Sequence, residues 1–349
     1  MFFTTFFDKN YLSRGLVLIE SLQQYTESFE IYVLCLDDFT ANFFQQNNKE
    51  YPQVIVVLLS EIEQSDEALF AIKTERSLIE YYFTLSPCLP LYLLKKYNLP
   101  HICSLDADLK FYSSPQSLFD YMNEYSIVIT PHKFSKEVSD LEIWGDNNVS
   151  FQIFKNDTVG VDCLELWRKQ CLEWCKDELD EENNRFADQK YLDNWNILYP
   201  NNVKQLYDNV SGLAPWNINN YEIRIEDNSF FSNGEKLIFY HFHHNKFFSK
   251  YWASNGFAAY KVNNKSSVTY IYQDYWGKVN KKSEVIQLGI ENFIRQNFDK
   301  NLGRTLVNEG SVFLRLSNKT IIPINTSNLI IKIALLLYGR INKSSNFFR

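Results

Sequence analysis

The segment His101–Tyr112 holds the residues best suited to chemistry. Asp106 and Asp108 stand two residues apart, directly after the apolar run His101–Leu105. About one D-x-D tripeptide arises by chance in a chain of this composition, so its position is the stronger signal. Ligands of an open α/β sheet bind beyond the carboxyl ends of its strands. Two carboxylates there suit a hard divalent cation that also holds phosphate oxygens, and a solvated turn is the alternative.

Histidines are concentrated in one short segment. Three of the five lie within four residues, at His241, His243 and His244. If Leu237–His243 is a strand, His241 and His243 share one face and His244 points away. Either of the first two could then be a metal ligand, and packed or surface imidazoles are the alternative. Mixed oxygen and nitrogen ligation favours Mn²⁺ over Mg²⁺.

Short apolar runs that alternate with helical patterns must position these groups. The predicted strands are Phe2–Phe7, Glu30–Leu36, Gln53–Leu59, His101–Leu105, Ile127–Thr130 and Val149–Phe154. The predicted helices are Tyr11–Tyr25, Leu78–Tyr97 with interruptions at Pro87 and Pro90, and Val161–Cys175. This alternation predicts an α/β fold whose parallel or mixed sheet is covered on both faces.

Composition excludes several classes of protein. The chain has 349 residues, which suits one large domain or one domain with an extension. A net charge of −7 argues against sequence-independent binding of nucleic acid. No two of the 11 glycines form G-x-G, so dinucleotide and Walker-type fingerprints are absent. The six cysteines form no C-x-x-C pair, which predicts reduced, mostly buried thiols in the cytosol. Neither a signal peptide nor a membrane span is predicted.

The D-x-D segment also resembles a known family. Leu105-Asp106-Ala-Asp108 is similar to the D-x-D region of GT-A nucleotide-sugar glycosyltransferases. Four more segments follow the order of family 8-like members: Asp8-Lys-Asn-Tyr11, Asn148-Val-Ser150, Asp188-Gln189 and His241–His244. Ser150 stands where Gly is usual. The resemblance covers roughly residues 1 to 250. It implies a GT-A fold, a central mixed sheet flanked by helices, with a C-terminal helical extension.

The resemblance implies roles for residues of a donor site. Tyr11 would stack on the nucleotide base beside Asp8, and Asp106 would face the ribose or the metal. Members commonly carry an Arg in the helix before the D-x-D strand. Glu80–Thr84 has none, so either Lys73 or Arg76 would replace it or the donor would be held differently. The predicted donor-binding residues are Thr5, Asp8, Tyr11, Arg14, Lys73 and Asp106.

Metal, catalytic and acceptor residues are implied in the same way. Mn²⁺ or Mg²⁺ would be bound by Asp106, Asp108 and His241. Asp188 and Gln189 would lie near the anomeric carbon; a helix N-terminal Asp with a structural Gln is the alternative. Trp216 and His243 would contact the acceptor, and the alternative for Trp216 is a tryptophan of the core. The alternative for the predicted donor-binding residue Arg14 is an exposed arginine.

The leading hypothesis is a metal-dependent glycosyltransferase. It would move a sugar from a nucleotide-diphosphate donor, a UDP-sugar being favoured, to a glycan or lipid-linked acceptor. Surface polysaccharide biosynthesis and retention of anomeric configuration are implied. One alternative is a non-catalytic carbohydrate-binding protein with a decayed GT-A fold. Another is a sugar-1-phosphate nucleotidyltransferase, although Asp8–Gly15 does not match the Gly-rich loop of those enzymes.

A change of pattern near residue 260 predicts two parts. Residues 1–260 would form the GT-A domain and residues 261–349 an extension. No acidic residue follows Glu309, whereas six basic residues do, around the apolar run Leu329–Tyr338. A basic amphipathic tail of this kind predicts peripheral contact with an anionic membrane, and a helix packed on the main domain is the alternative. The predicted location is the cytoplasm, at the inner face of the membrane.

Overall fold

A computed structural model describes residues 1–249, 252–263, 266–286, 311–317 and 320–325. These residues belong to two compact units. The first comprises Met1–Phe134, Ser139–Gly212 and Leu237–Tyr240. The second comprises Ser135–Val138, Leu213–Lys236 and the described part of His241–Arg349. The predicted division after residue 260 stays a prediction.

Strands and helices alternate along the first half of the chain. The described strands are β1 (Phe2–Phe7), β2 (Glu30–Cys35), β3 (Val54–Leu58), β4 (His101–Leu105), β5 (Leu109–Phe111), β6 (Ile127–Pro131), β7 (Asn147–Lys155), β8 (Leu179–Asp180), β9 (Arg185–Phe186), β10 (Val203–Gln205), β11 (Ile223–Glu226), β12 (Ser229–Ser232), β13 (Glu235–Lys236), β14 (Phe239–His241), β15 (Lys246–Ser249), β16 (Trp252–Ser254), β17 (Ser311–Ser317) and β18 (Thr320–Asn325). The described α-helices are α1 (Leu12–Tyr25), α2 (Asp38–Gln46), α3 (Leu59–Ser65), α4 (Glu67–Ile72), α5 (Leu78–Tyr97), α6 (Gln116–Asp120), α7 (Thr158–Glu173), α8 (Trp195–Leu198) and α9 (Ser266–Val285).

A seven-stranded mixed sheet forms the centre of the first unit. Its strand order is β10-β6-β7-β4-β1-β2-β3. β1 pairs in parallel with β2 and β4, whereas β7 runs antiparallel to β4 and β6. β5 and β14 form a separate two-stranded sheet. The predicted α/β fold, with helices flanking a central mixed sheet, is confirmed.

Helices α5 and α7 cover one face of this sheet. Leu89, Ile102, Phe154 and Trp167 belong to one buried cluster on that face. The Trp167 ring meets Trp195 edge-on, with centroids 5.3 Å apart. Burial of such side chains is the main stabilising contribution to the unit. All six cysteines are free and buried, as predicted.

The predicted interruption of the helix at Pro87 and Pro90 is wrong, because α5 runs unbroken through both. Its start is fixed by a capping box in which the Ser77 N–H donates to the Glu80 carboxylate over 2.8 Å. Asn98, in the left-handed conformation, follows its last turn. An internal proline costs a helix about 3 kcal/mol. The apolar burial along α5 outweighs that cost.

The second unit contains antiparallel sheets and one long helix. β11-β12-β13 form a three-stranded sheet, and β15-β16-β17-β18 form a four-stranded one. The predicted C-terminal helix is present as α9, and strands β17 and β18 follow it. The predicted basic tail at Leu329–Tyr338 lies outside the described residues. Among the described helices, none is long and apolar enough to cross a membrane.

Candidate functional site

Asp106 and Asp108 lie in the tight turn that joins β4 to β5. The Asp106 N–H donates to the Ser150 carbonyl of β7 over 3.0 Å, and the Leu109 N–H donates back to the Asp106 carbonyl over 3.3 Å. Both carboxylates are half-buried. Because β4 is parallel to β1, this turn lies at the carboxyl edge of that strand pair. The D-x-D segment therefore stands where an open α/β sheet binds ligands.

The end of β1 brings several predicted donor residues to the same edge. Both carboxylate oxygens of Asp8 accept hydrogen bonds from Asn10, at 2.9 Å from its backbone nitrogen and 2.8 Å from its amide nitrogen. Tyr11 then precedes the first turn of α1. Thr5 is buried in β1, and its hydroxyl has no hydrogen-bond partner among the described residues.

Tyr11 and Arg14 form a stacked pair. The Arg14 guanidinium lies 4.3 Å from the centroid of the Tyr11 ring. Arg14 is only 4% exposed, so the alternative of an exposed Arg is wrong, whereas Tyr11 is 42% exposed. The ring thus has one face on a cation and enough accessible surface to stack on a flat ligand.

The pKa of the Tyr11 hydroxyl reports the charges around it. Arg14 lowers that pKa and is the largest influence, but burial and the carboxylates of Asp108, Asp106 and Asp8 together raise it above its ordinary value. The carboxylates of Asp8, Asp106 and Asp108 therefore lie within electrostatic range of the Tyr11 hydroxyl.

Asp188 is the most deeply buried of the predicted catalytic residues. It is 2% exposed, and its Oδ2 has no hydrogen-bond partner among the described residues. Burial is the main cause that raises its pKa to about 7; a hydrogen bond with Ser86 opposes the rise, and the charge on Asp106 adds to it. Trp167 donates to the Asp188 backbone carbonyl over 2.8 Å and so fixes this position. Asp188 can therefore carry a proton near neutral pH.

Gln189 and the residues after it bind a neighbouring loop. The Gln189 amide donates to the Trp144 carbonyl over 2.9 Å. Lys190 donates to the Ile143 carbonyl over 2.8 Å. The roles predicted for Asp188 and Gln189 stay predictions, and the amide of Gln189 already has a backbone partner.

Lys73 and Arg76 are engaged in packing of helices. The Lys73 ammonium lies 2.6 Å from a carboxylate oxygen of Glu63 on α3. Arg76 donates to the Leu172 carbonyl in the last turn of α7 over 3.1 Å. Their predicted contact with donor phosphate stays a prediction, and each side chain would have to exchange a present partner to make it.

The second unit holds the histidine segment. β14 ends at His241, and a turn closed by the Asn245 N–H donating to the Phe242 carbonyl follows. The predicted strand to His243 is therefore wrong, and so is its assignment of faces. His244 has a φ of 56°, which an extended strand does not allow. Alternation thus does not decide between His241 and His243.

Aromatic rings surround this turn within the second unit. Trp216 meets His241 and His243 edge-on, with ring centroids 5.2 and 5.4 Å apart. Trp216 is buried, in agreement with the alternative of a core Trp. Contact of Trp216 and His243 with an acceptor stays a prediction.

Several residues of the first-unit site were missed by sequence reasoning. Ser86, which bonds Asp188, lies in a helix that carried no polar signal. Asp193 accepts three hydrogen bonds from residues 146 and 147, a role that no local spacing indicates. Asn148 was part of a predicted motif, and its Oδ1 accepts from the backbone and the hydroxyl of Ser150.

The fold and this edge define an α/β protein with an acidic, partly buried site at the carboxyl ends of its strands. The chain is 30% identical over 249 residues to the uncharacterized protein YfnF of Bacillus subtilis (strain 168), which covers 69% of this chain and 80% of YfnF. It belongs to the same family as YfnF. It is also 27% identical to the uncharacterized protein YfnD of that organism, over 83% of this chain and 92% of YfnD.

No family model matches the chain. Among solved structures, the galactosyltransferase LgtC in complex with donor and acceptor sugar analogs aligns with a TM-score of 0.45. The identity is 15%, and the alignment covers 62% of this chain and 76% of LgtC.

Proposed function

We propose that the chain is a metal-dependent glycosyltransferase that uses a nucleotide-sugar donor. The observation that carries the proposal is the position of Asp106 and Asp108, whose half-buried carboxylates lie in the turn after β4, at the carboxyl edge of the sheet. The third ligand that we propose is His241. His241 ends β14, the strand that pairs with β5 directly after the D-x-D turn.

The donor atoms of these three residues fit a divalent cation. Two carboxylates and one imidazole are a hard set with one borderline nitrogen, which Mn²⁺ accepts more readily than Mg²⁺. Such an ion, when bound, offsets the negative charge that builds up on a leaving nucleoside diphosphate.

The chain's own residues supply binding and orientation in this proposal. Tyr11 stacks on the nucleotide base with its accessible ring surface, and Arg14 holds that ring from the other side. Asp8 accepts from the base. Asp188, whose pKa the charge on Asp106 raises, orients the transferred sugar through the Oδ2 that has no hydrogen-bond partner among the described residues. Gln189 and Thr5 complete the donor side of the site.

The finer features of the proposal come from the family resemblance and the sequence. The donor is a UDP-sugar, and the anomeric configuration is retained. The acceptor is a surface glycan or its lipid-linked precursor, contacted by Trp216 and His243. The basic composition after Glu309 supports action in the cytoplasm at the inner face of the membrane.

A thermal-shift panel tests the proposal directly. UDP, GDP, dTDP and CMP are each added with and without Mn²⁺. A ligand present at 100 times its Kd stabilises the folded state by about 2.7 kcal/mol. We expect a Mn²⁺-dependent rise in Tm with UDP. Release of sugar from the matching donor then separates an enzyme from a carbohydrate-binding protein.

A pair of variants makes the panel specific for the acidic turn. Asp108→Ala should abolish the Mn²⁺-dependent shift and the activity while leaving the fold intact. Asp120→Ala, on the exposed end of α6, is the matched control and should keep both. Full activity in Asp108→Ala would refute the metal site.

A further inference from the structure

Residues 189–193 hold a loop in the first unit, which we call the 143–147 loop. The last residue of this loop, Asn147, is the first residue of β7. Gln189 and Lys190 donate to its Trp144 and Ile143 carbonyls, as described above. Oδ1 of Asp193 accepts from the Asp146 N–H at 2.9 Å, the Asn147 N–H at 3.2 Å and the Asn147 side-chain amide at 3.1 Å.

The backbone of the 143–147 loop requires a glycine at position 145. Gly145 has a φ of +130°, which side-chain-bearing residues rarely adopt. A Cβ at that position would make ordinary contacts, 3.6 Å from Oδ2 of Asp193 and 3.7 Å from the Lys190 Cα, so the requirement comes from the backbone conformation and not from lack of space. The hydrogen bonds of Gln189, Lys190 and Asp193 therefore hold the loop in a conformation that the glycine allows.

Both segments continue directly into the proposed site. Residue 188, immediately before the fixing segment, is the buried Asp188. On the other side, the 143–147 loop becomes β7, whose Ser150 carbonyl accepts the backbone N–H of Asp106. Asn147 is also held by Gln205, whose amide donates to its Oδ1 over 2.8 Å. The hydrogen bonds between residues 189–193 and the 143–147 loop thus link the backbone at Asp188 to β7, the strand that holds the backbone of Asp106.

We propose that Asp193 is a positioning residue, which fixes the 143–147 loop and thereby sets the D-x-D turn relative to Asp188. This inference rests on the proposed function for its effect on catalysis. Catalytic groups that are misplaced by about 1 Å can lose roughly 100-fold in rate. Loosening this connection should therefore lower kcat while leaving the nucleotide-binding residues at the end of β1 in place.

The Asp193→Ala variant removes all three hydrogen bonds and is the first test. We expect kcat to fall at least about tenfold, with the Mn²⁺-dependent shift by UDP reduced but not abolished, because both carboxylates of the D-x-D turn remain. Asp193→Asn keeps an oxygen acceptor for the two backbone N–H groups and should recover most of the kcat. Asp177→Ala, at an exposed carboxylate, is the control and should leave kcat unchanged. Wild-type kcat in Asp193→Ala would overturn the proposal.

Hydrogen exchange gives a readout that does not depend on activity. In Asp193→Ala, amide exchange should become faster in the 143–147 loop and also in a peptide covering 101–112, which contains Asp106. Faster exchange confined to the loop would overturn the coupling. A wild-type chain that binds no nucleotide would refute the proposed function instead, and the exchange comparison would still decide this inference.

A milder variant covers the case in which Asp193→Ala does not fold. Lys190→Met removes only the donation to the Ile143 carbonyl and keeps the buried apolar stem. We expect a smaller loss of kcat with the same pattern of exchange at residues 101–112. Unchanged kcat and unchanged exchange in a folded Lys190→Met variant would overturn the proposal.

Discussion

Asp188→Asn should change the free energy of unfolding in a way that depends strongly on pH. Burial raises the pKa of Asp188 from 3.8 to about 7, against the opposing hydrogen bond of Ser86. The folded state therefore holds the proton more tightly than the unfolded chain. The stabilisation of the protonated form is fully present below pH 3.8 and is lost as the pH rises through about 7.

The size of this effect follows from the shift. About three pK units at 1.36 kcal/mol each correspond to about 4 kcal/mol between the extremes of pH. Part of that loss has already occurred at pH 5, so the range from pH 5 to 8 contains about 2 to 3 kcal/mol. The amide of the Asp188→Asn variant does not titrate, so the variant should gain this amount relative to wild type at the higher pH.

Urea unfolding at pH 5 and pH 8, in chelator and without nucleotide, measures the difference. Asp177→Asn, at an exposed site, is the control and should differ from wild type equally at both pH values. A difference between Asp188→Asn and wild type that is the same at both pH values would show that Asp188 does not titrate as a buried acid.

Three further substitutions test other parts of the first unit. Tyr11→Ala should weaken nucleotide affinity by about 1 to 3 kcal/mol, measured by calorimetry, whereas Tyr11→Phe should keep it, because stacking needs only the ring. Gly212→Ala should lower Tm, because φ is +66° and a Cβ would lie 2.4 Å from the Thr130 methyl carbon; adding Thr130→Ser should recover part of the loss. Arg168→Met should reduce the urea midpoint at pH 7, because it removes the partner that stabilises the charged form of Asp66. Burial raises the pKa of Asp66, but its hydrogen bonds with Arg168 and the Leu69 N–H lower the pKa by more, so the net pKa is lowered. That reduction should narrow as the pH falls through the lowered pKa of Asp66, where its protonation removes the ion pair from wild type.

Local pattern was enough to predict the strands that carry the site. β1 and β4 have the predicted bounds, because short apolar runs between turn residues leave few alternatives. The position of Asp106 and Asp108 after β4 followed from the same signal. The prolines of α5 were misjudged because tertiary burial, which propensity does not include, outweighs the lost hydrogen bonds.

Contacts across the chain were not predictable from spacing. Asp193 accepts hydrogen bonds from Asp146 and Asn147, which lie more than forty positions before it in the sequence. Ser86 forms a hydrogen bond with Asp188, which lies about a hundred positions after it. Neither pair has a local pattern. His243 was misassigned because a turn and a strand end share the same residue types over so short a segment.

The buried cysteines allow the opening of the first unit to be measured separately from that of the second. All six lie in the first unit, on β2, α5, β4 and α7 and just after α7, and none follows Cys175 in the sequence. Burial raises the pKa of Cys103 and Cys171, which keeps their thiols unreactive towards alkylating reagents while folded. The rate at which each thiol is alkylated therefore measures how often the element that carries it opens. The second unit has no cysteine and contributes nothing to this measurement.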